Sequence, residues 1–286
     1  MLYLLAAAFL WGTSFIAGKY AEALASPEII VLFRWFIALP FIAHIAIPSI
    51  RKLTKPLLYK VIGVSFLINS IFLLQFIGLE YTTASNAATM IGFEPLLVIL
   101  AGHYFFNQPT NKKQILLSLI ALVGIALVMG VPDLSNNNFI GCFIVFSSTV
   151  VIAITLQQSK VLIDKVPKGS FTALTLFFAA LWCIPCTLLL VDDWQITPSI
   201  SGIASVLYLG IGCTLLASWL WNIGLSKTAA NLGGIFLALE PIFGVFFAII
   251  LLNERPDLYA SIGIILVIFS VLYSLKESQN MDKSKE

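Results

Sequence analysis

Charge is scarce in this sequence. Asp and Glu number 14 and Lys and Arg 16 among 286 residues, so 10% of the chain is charged, where a soluble globular domain carries about 25%. That is too little to cover a water-facing surface, which excludes an ordinary soluble domain. A net charge of +2 with no basic patch interleaved with aromatics gives nucleic acid nothing to hold. The two histidines, His44 and His103, stand far apart near the ends of hydrophobic runs, and neither is assigned a ligand role. The four cysteines, Cys142, Cys183, Cys186 and Cys213, all fall inside hydrophobic blocks, which excludes the loop framework of a secreted disulfide scaffold. Cys183 and Cys186 have CxxC spacing, but no further Cys or His stands beside them, so packing explains them better than redox or metal chemistry. HExxH, G-x-S-x-G and any convergent His/Asp set are missing, which argues against an enzyme. A channel would show a repeated filter loop or a charge ring, and neither is present. No metal and no cofactor is expected.

Apolar residues fill the space instead. The chain is 59% hydrophobic, with a mean hydropathy of +0.99. The apolar blocks are roughly 18–25 residues long, enough to cross a bilayer core as a helix, and short polar links separate them. Open sheets do not survive in lipid, and the alternation of barrel strands is absent. The predicted fold is all-α integral membrane, with ten transmembrane helices: Leu2–Tyr20, Ile29–Ile47, Leu57–Leu79, Ser85–Phe106, Gln114–Val131, Phe139–Leu156, Phe171–Val191, Ile200–Leu225, Leu232–Leu252 and Leu258–Leu275. The first block begins at Leu2 with no basic region before it, and reads as a retained helix rather than a cleaved signal peptide. The stretch from Lys276 to Glu286 is polar and reads as a disordered tail.

Basic residues set an orientation. With ten helices, the links holding Arg51, Lys52, Lys55 and Lys60, then Lys112 and Lys113, then Lys160, Lys165 and Lys168, then Lys227, and finally the tail with Lys276, Lys283 and Lys285, all fall on one side. The opposite links hold Glu22, Glu28, Glu80, Asp133, Asp192, Asp193, Glu254 and Asp257, with Arg255 as the main exception. Both termini are therefore expected in the cytoplasm. A repeat is also visible. At an offset of 146 residues, Ile77-Gly78-Leu79 falls on Ile223-Gly224-Leu225, Thr82 on Thr228, Ala84 on Ala230, Glu94-Pro95 on Glu240-Pro241 and Asn107 on Asn253. Shared apolar composition gives chance Leu and Ile matches, but paired Glu-Pro at matched depth is hard to obtain that way. The division expected is a first five-helix repeat over 1–135, a second over 136–276 and a polar cytoplasmic tail over 277–286. Five is odd, so the halves must run through the membrane in opposite directions. Such inverted repeats are a recurring plan of secondary transporters.

Further features stand in order along the chain: Phe9-Leu10-Trp11-Gly12-Thr13-Ser14-Phe15, then Phe33-Arg34-Trp35, the two Glu-Pro pairs, and Leu252-Asn253-Glu254-Arg255-Pro256. On these the sequence resembles the drug/metabolite transporter superfamily, in particular its EamA-type members with ten helices in two halves, over nearly the whole chain. The resemblance implies metabolite transport without naming the solute, since such members move varied amino acids and other small solutes. One departure is that Asn107-Gln108 stands where the family often has Gly-Glu, so no charge role is carried over there.

Glu94 and Glu240 are the leading candidates. Each lies near the middle of a helix, where a charge costs at least ~2.5–3.5 kcal/mol. Desolvation favours the protonated form, and a carboxyl that gains and loses a proton beside a cavity is what proton coupling needs. Pro95 and Pro241 remove a backbone donor and kink the helix, freeing the carbonyls of Ile91 and Leu237. A structural carboxyl bonded across helices at a kink is the competing account. Arg34 lies about two turns inside helix two, either paired with a substrate carboxylate or a helix carbonyl, or, as the favoured reading, snorkelling to the outer interface. Lys19 has the same two readings, tilted to snorkelling. Asn69, Gln75, Asn86, Gln157 and Asn222 line a polar path or glue helices. Trp11, Trp35, Trp219 and Trp221, with Tyr81, form an apolar cavity wall or an interface belt. The function expected is a secondary active transporter of small metabolites, such as amino acids or related amphipathic solutes. It would work outward by alternating access, with protons as a coupling partner and a bacterial cytoplasmic membrane as its site. An uncoupled facilitator or exchanger on the same scaffold is the alternative.

Overall fold

The computed structural model describes residues 1–108, 110–129, 136–167, 169–252 and 258–283, and every regular element in them is a helix. In chain order they are α1 (Leu2–Gly12), α2 (Ser14–Ala21), α3 (Pro27–Ile50), α4 (Lys55–Tyr81), α5 (Ala84–Ile91), α6 (Glu94–Phe106), α7 (Lys112–Met129), α8 (Asn136–Ile163), α9 (Ser170–Leu190), α10 (Ile200–Tyr208), a π-helix (Leu209–Leu216), α11 (Ala217–Ser226), α12 (Ala230–Leu237), α13 (Leu239–Leu252) and α14 (Leu258–Lys283). Joined across their breaks they make ten segments, at the ten places read from the sequence. Seven are long and apolar enough to cross a membrane by length and composition; Ala230–Gly244 and Ser261–Ser274 are shorter apolar helices. Start signals are local. Ser26 and Thr54 are extended and put Pro27 and Pro56 in the first turns of α3 and α4, where a missing N–H costs nothing.

The segments differ from uninterrupted helices in four places. The first breaks at Thr13. The fourth breaks after Ile91, where Gly92 and Phe93 donate to Thr89 and Met90, three residues back, just ahead of Glu94-Pro95. The ninth breaks at Ala238, which donates to Ile235 in the same way ahead of Glu240-Pro241. The eighth widens into the π-helix. There Gly210 lies against Ile37 and the Arg34 carbonyl, with no room for a side chain, and the widened turn presents the Cys213 carbonyl to Trp11. The tail expected to be disordered is instead helical as far as Lys283. No Gly or Pro follows Ser261-Ile262-Gly263 to stop α14, and Lys, Glu, Gln and Met all propagate a helix well. At the end of α6, Asn107 takes the left-handed conformation at φ 50, which Asn tolerates best after Gly. Its partner in the repeat, Asn253, lies outside the described residues, as do Glu254, Arg255 and Pro256 of the motif after the ninth segment, and Asp257 beyond it.

Packing follows a two-fold plan. The third segment packs on the sixth and the eighth on the first. The fourth packs on the sixth and the ninth on the first, and the third meets the seventh as the eighth meets the second. The second and seventh, fourth and ninth, and fifth and tenth pack on each other. Exchanging every segment with the one five places away leaves this pattern unchanged. Third, fourth and sixth thus form one group, and eighth, ninth and first another. Large apolar side chains face outward, among them Leu189 at 86% and Ile200 at 91% exposed, a surface suited to lipid and not to water.

In lipid, helices associate through close packing rather than hydrophobic burial, so small residues sit where backbones meet. Gly12 is the tightest such point. A Cβ there would fall on the Glu240 carbonyl and on Phe243 Cβ at 2.8 Å, and a Cβ on Gly244 would meet the Gly12 carbonyl at 3.2 Å. Backbone cannot rotate away, so Gly12→Val is expected to lose about 1–3 kcal/mol to overpacking. Thermal unfolding of the purified protein in detergent reads it, and an unchanged Tm would show that α1 and α13 do not meet at this point.

Candidate functional site

A cavity with about 130 Å³ of free volume lies between the two groups. Its wall is built from related pieces. Phe72 and Gln75 of α4 answer to Ser218 and Trp221 of α11 at the 146-residue offset, and Glu94 answers to Glu240. Trp11, Ser14 and Phe15 of the first segment answer to Ile152, Thr155 and Leu156 of α8 at an offset of 141.

Both carboxyls line this one cavity, each in the first turn after a break that its own Glu-Pro pair imposes. Glu94 is 1% exposed and Glu240 9%. Glu94 Oε2 has no hydrogen-bond partner among the described residues. Trp11 fixes the wall by donating from Nε1 to the Cys213 carbonyl at 2.8 Å and tilting its ring against Trp221 at 5.2 Å. Asn222 donates to Thr172 Oγ1 at 3.0 Å. Of the candidates, Glu94, Glu240, Trp11, Trp221, Gln75 and Asn222 are thus brought together, with Pro95 and Pro241 at the breaks.

The others lie elsewhere. Trp35 is buried and donates to Asn69 Oδ1 at 3.1 Å. Arg34 is buried outside the cavity wall, with Nε donating to Thr214 Oγ1 at 2.7 Å. Asn86 donates to Thr82 Oγ1, Tyr81 is exposed at the end of α4, and Trp219 packs on the core of segments two, three and seven. Gln157 ties α8 to Val98 and Asn231, and so works as glue. Hydroxyls that sequence reasoning passed over, Ser14, Thr155, Ser159, Thr175 and Ser218, line the cavity. Their signal was helical spacing: Thr155 and Ser159 are one turn apart, and Ser218 stands one turn before Trp221 and Asn222.

Lys19 does more than snorkel. Its Nζ donates to the Leu79 carbonyl at 2.9 Å, tying α2 of one group to the end of α4 in the other, and it pairs with Glu22 at 2.9 Å. Lys160 Nζ donates to the Leu225 and Ser226 carbonyls at 3.0 and 3.1 Å, tying the end of α8 to the end of α11, and stands 3.8 Å from Asp164. Leu79 and Leu225 are 146 residues apart, and Lys19 and Lys160 are related by the same 141-residue offset as the rest of their segments. The bonds sit at opposite ends of the molecule. Gly141 abuts Gly78 and Thr82 at the start of α8, and Lys160 follows 19 residues later in the same helix, roughly 28 Å along at 1.5 Å per residue.

A small cavity, mostly apolar but set with carboxyl, amide and hydroxyl groups, lies between two related helix groups inside an apolar shell and defines a multi-pass membrane protein that holds a small solute. The chain belongs to the EamA-like transporter family, whose model matches residues 1–130 and again 139–276. An uncharacterized transporter of Haemophilus influenzae is 37% identical over 139 residues, 47% of this chain and 82% of the relative. An uncharacterized transporter of Archaeoglobus fulgidus is 26% identical over 279 residues, 94% of this chain and 95% of the relative. A crystal structure at 18% identity superposes with a TM-score of 0.79 over 98% of this chain and 97% of its own, a likeness of fold. The protein is a membrane transporter rather than an enzyme, and its partners are a small-molecule substrate and the lipid bilayer.

Proposed function

We propose that the protein is a secondary active carrier that moves small metabolites, amino acids or related amphipathic solutes, outward by alternating access, with Glu240 and Glu94 exchanging the coupling proton. The halves are 1–135 and 136–276, inverted in the membrane, with 277–286 a cytoplasmic tail. One observation carries the reading: the cavity that holds both carboxyls lies between two helix groups, and matched lysine–carbonyl bonds tie those groups together at both of its ends. A channel needs no paired closures, whereas a carrier must close each end in turn. Trp11 and Asn222 contact the solute in the cavity.

Counterflow tests the carrier. Proteoliposomes loaded with an isotopically labelled amino-acid mixture are diluted into buffer with and without the unlabelled mixture outside. Efflux of at least one component faster with external solute is the expected result, and efflux indifferent to external solute overturns it. Repeating the measurement with an imposed pH gradient separates the coupled carrier from an uncoupled exchanger. We also place both termini in the cytoplasm of a bacterial cytoplasmic membrane, from the lysine distribution. A cysteine at Lys283 is expected to resist an impermeant maleimide applied to intact cells, and its labelling would reverse the orientation.

A further inference from the structure

We infer that Arg34 and Asn69, behind the ring of Phe72, form a binding site for the carboxylate of the transported solute; this rests on the carrier reading above and gives its substrate a chemical class. Arg34 is fully buried. Its Nε donates to Thr214 Oγ1 of the π-helix at 2.7 Å, but Nη1 and Nη2 have no partner among the described residues. Asn69 is also fully buried. Its Oδ1 accepts from Trp35 Nε1 at 3.1 Å, and its Nδ2 is likewise unpartnered among the described residues. Every unmet group in this cluster is therefore an N–H donor, and two of the three belong to a side chain that stays charged. Buried charges are normally paired or fully hydrogen-bonded, because desolvation is otherwise uncompensated. What the cluster lacks is acceptors. A carboxylate supplies two in one plane, the geometry that matches the guanidinium fork.

Phe72 separates these donors from the cavity. Arg34 Cζ lies 4.1 Å from the centre of its ring, and Trp35 packs on it edge to face at 5.3 Å. Phe72 lines the cavity and Arg34 does not. Asn69 and Phe72 are three residues apart on α4 and share a face. A change of rotamer at Phe72 opens the cavity to Asn69 and to the fork, which Thr214 holds in place from the opposite helix group. Two of the unmet groups elsewhere are acceptors that complement this end: Glu94 Oε2 and Gln157 Oε1, both without partners among the described residues, lie on α6 and α8. Donors at one side and carboxyls at the other suit a dipolar solute, with its carboxylate at Arg34 and an ammonium group toward Glu94 and Glu240. The arrangement favours an amino acid over the corresponding amine.

Thermal stabilisation of the detergent-solubilised protein tests the site without requiring transport. The probes are acetate, benzoate, inorganic phosphate, and two matched pairs, L-leucine with isopentylamine and L-phenylalanine with phenethylamine. At least one carboxylated probe is expected to raise the Tm where its amine partner does not. Arg34→Met keeps an unbranched stem but removes the guanidinium, and is expected to weaken that response on the order of ten- to hundredfold in concentration. Asn69→Leu tests the same site should Arg34→Met fail to fold, and is expected to weaken it by about tenfold. No response of the wild type to any carboxylated probe, a response to phosphate alone, or an equal carboxylate response in a folded variant each overturns the proposal. The outcomes also separate the two readings. Carboxylate binding without counterflow removes the carrier and leaves the site, and counterflow with an Arg34-independent affinity does the reverse.

Discussion

Glu240→Gln is expected to abolish gradient-driven uptake in proteoliposomes while exchange of solute for solute persists. The substitution keeps the side-chain volume in a wall where Glu240 is 9% exposed, and it removes the only group there that can take up and release a proton on the ninth segment. Exchange returns a loaded carrier and needs no proton. Net coupled movement must return an empty one, and the proton is what distinguishes the two directions. One pH unit is worth about 1.4 kcal/mol per proton, a tenfold accumulation at equilibrium; with Gln at 240 the accumulation ratio falls to one. Glu94→Gln is measured beside it, because matched places in two halves need not share a role. Glu240 ranks first because its half keeps the Asn253-Glu254-Arg255 sequence, where the first half has Asn107-Gln108. Full gradient-driven uptake in both variants would make the two carboxyls structural groups at proline breaks.

The helical class and the positions of the segments were legible because lipid permits so few alternatives. Long apolar runs between short polar links leave room for little except helices. The Glu-Pro pairs were legible for a similar reason: a carboxyl and a missing backbone donor at mid-helix are both costly, so their repetition after 146 residues had to mean something. What sequence could not give was which face of a helix meets the cavity. Trp11 and Trp35 looked alike as tryptophans away from helix ends, yet one lines the cavity and the other is buried against Asn69. The cavity hydroxyls were invisible for the opposite reason, since Ser and Thr are common glue in apolar helices. The roles of the lysines depended on long-range register. Nothing near Lys19 in the chain announces the Leu79 carbonyl, and the 141-residue offset linking Lys19 to Lys160 differs from the 146 that relates the third and fourth segments to the eighth and ninth, so a single shift of the sequence passes over it.

That register leads to the largest effect the structure predicts. If the Lys19–Leu79 and Lys160–Leu225 bonds close the two ends of one cavity in alternation, fixing either end shut should stop the carrier. The exposed Glu80 follows Leu79 as Ser226 follows Leu225, at the 146-residue offset. Cysteine pairs at Lys19 with Glu80, and at Lys160 with Ser226, therefore place a short bifunctional thiol reagent across equivalent ends. Each cross-link alone is expected to abolish counterflow, because exchange needs both ends to open in turn. A reporter Ser218→Cys in the cavity wall should then accept an impermeant maleimide from the uncrossed end only, with the accessible side reversed between the two pairs. Removing a lysine acts in the opposite sense and more weakly. The Lys19 side chain is 38% exposed, so Lys19→Met is expected to shift the opening equilibrium at its end by only roughly two- to fivefold. Counterflow that survives complete cross-linking at either end would mean that these bonds hold the fold and that the cavity opens by another route.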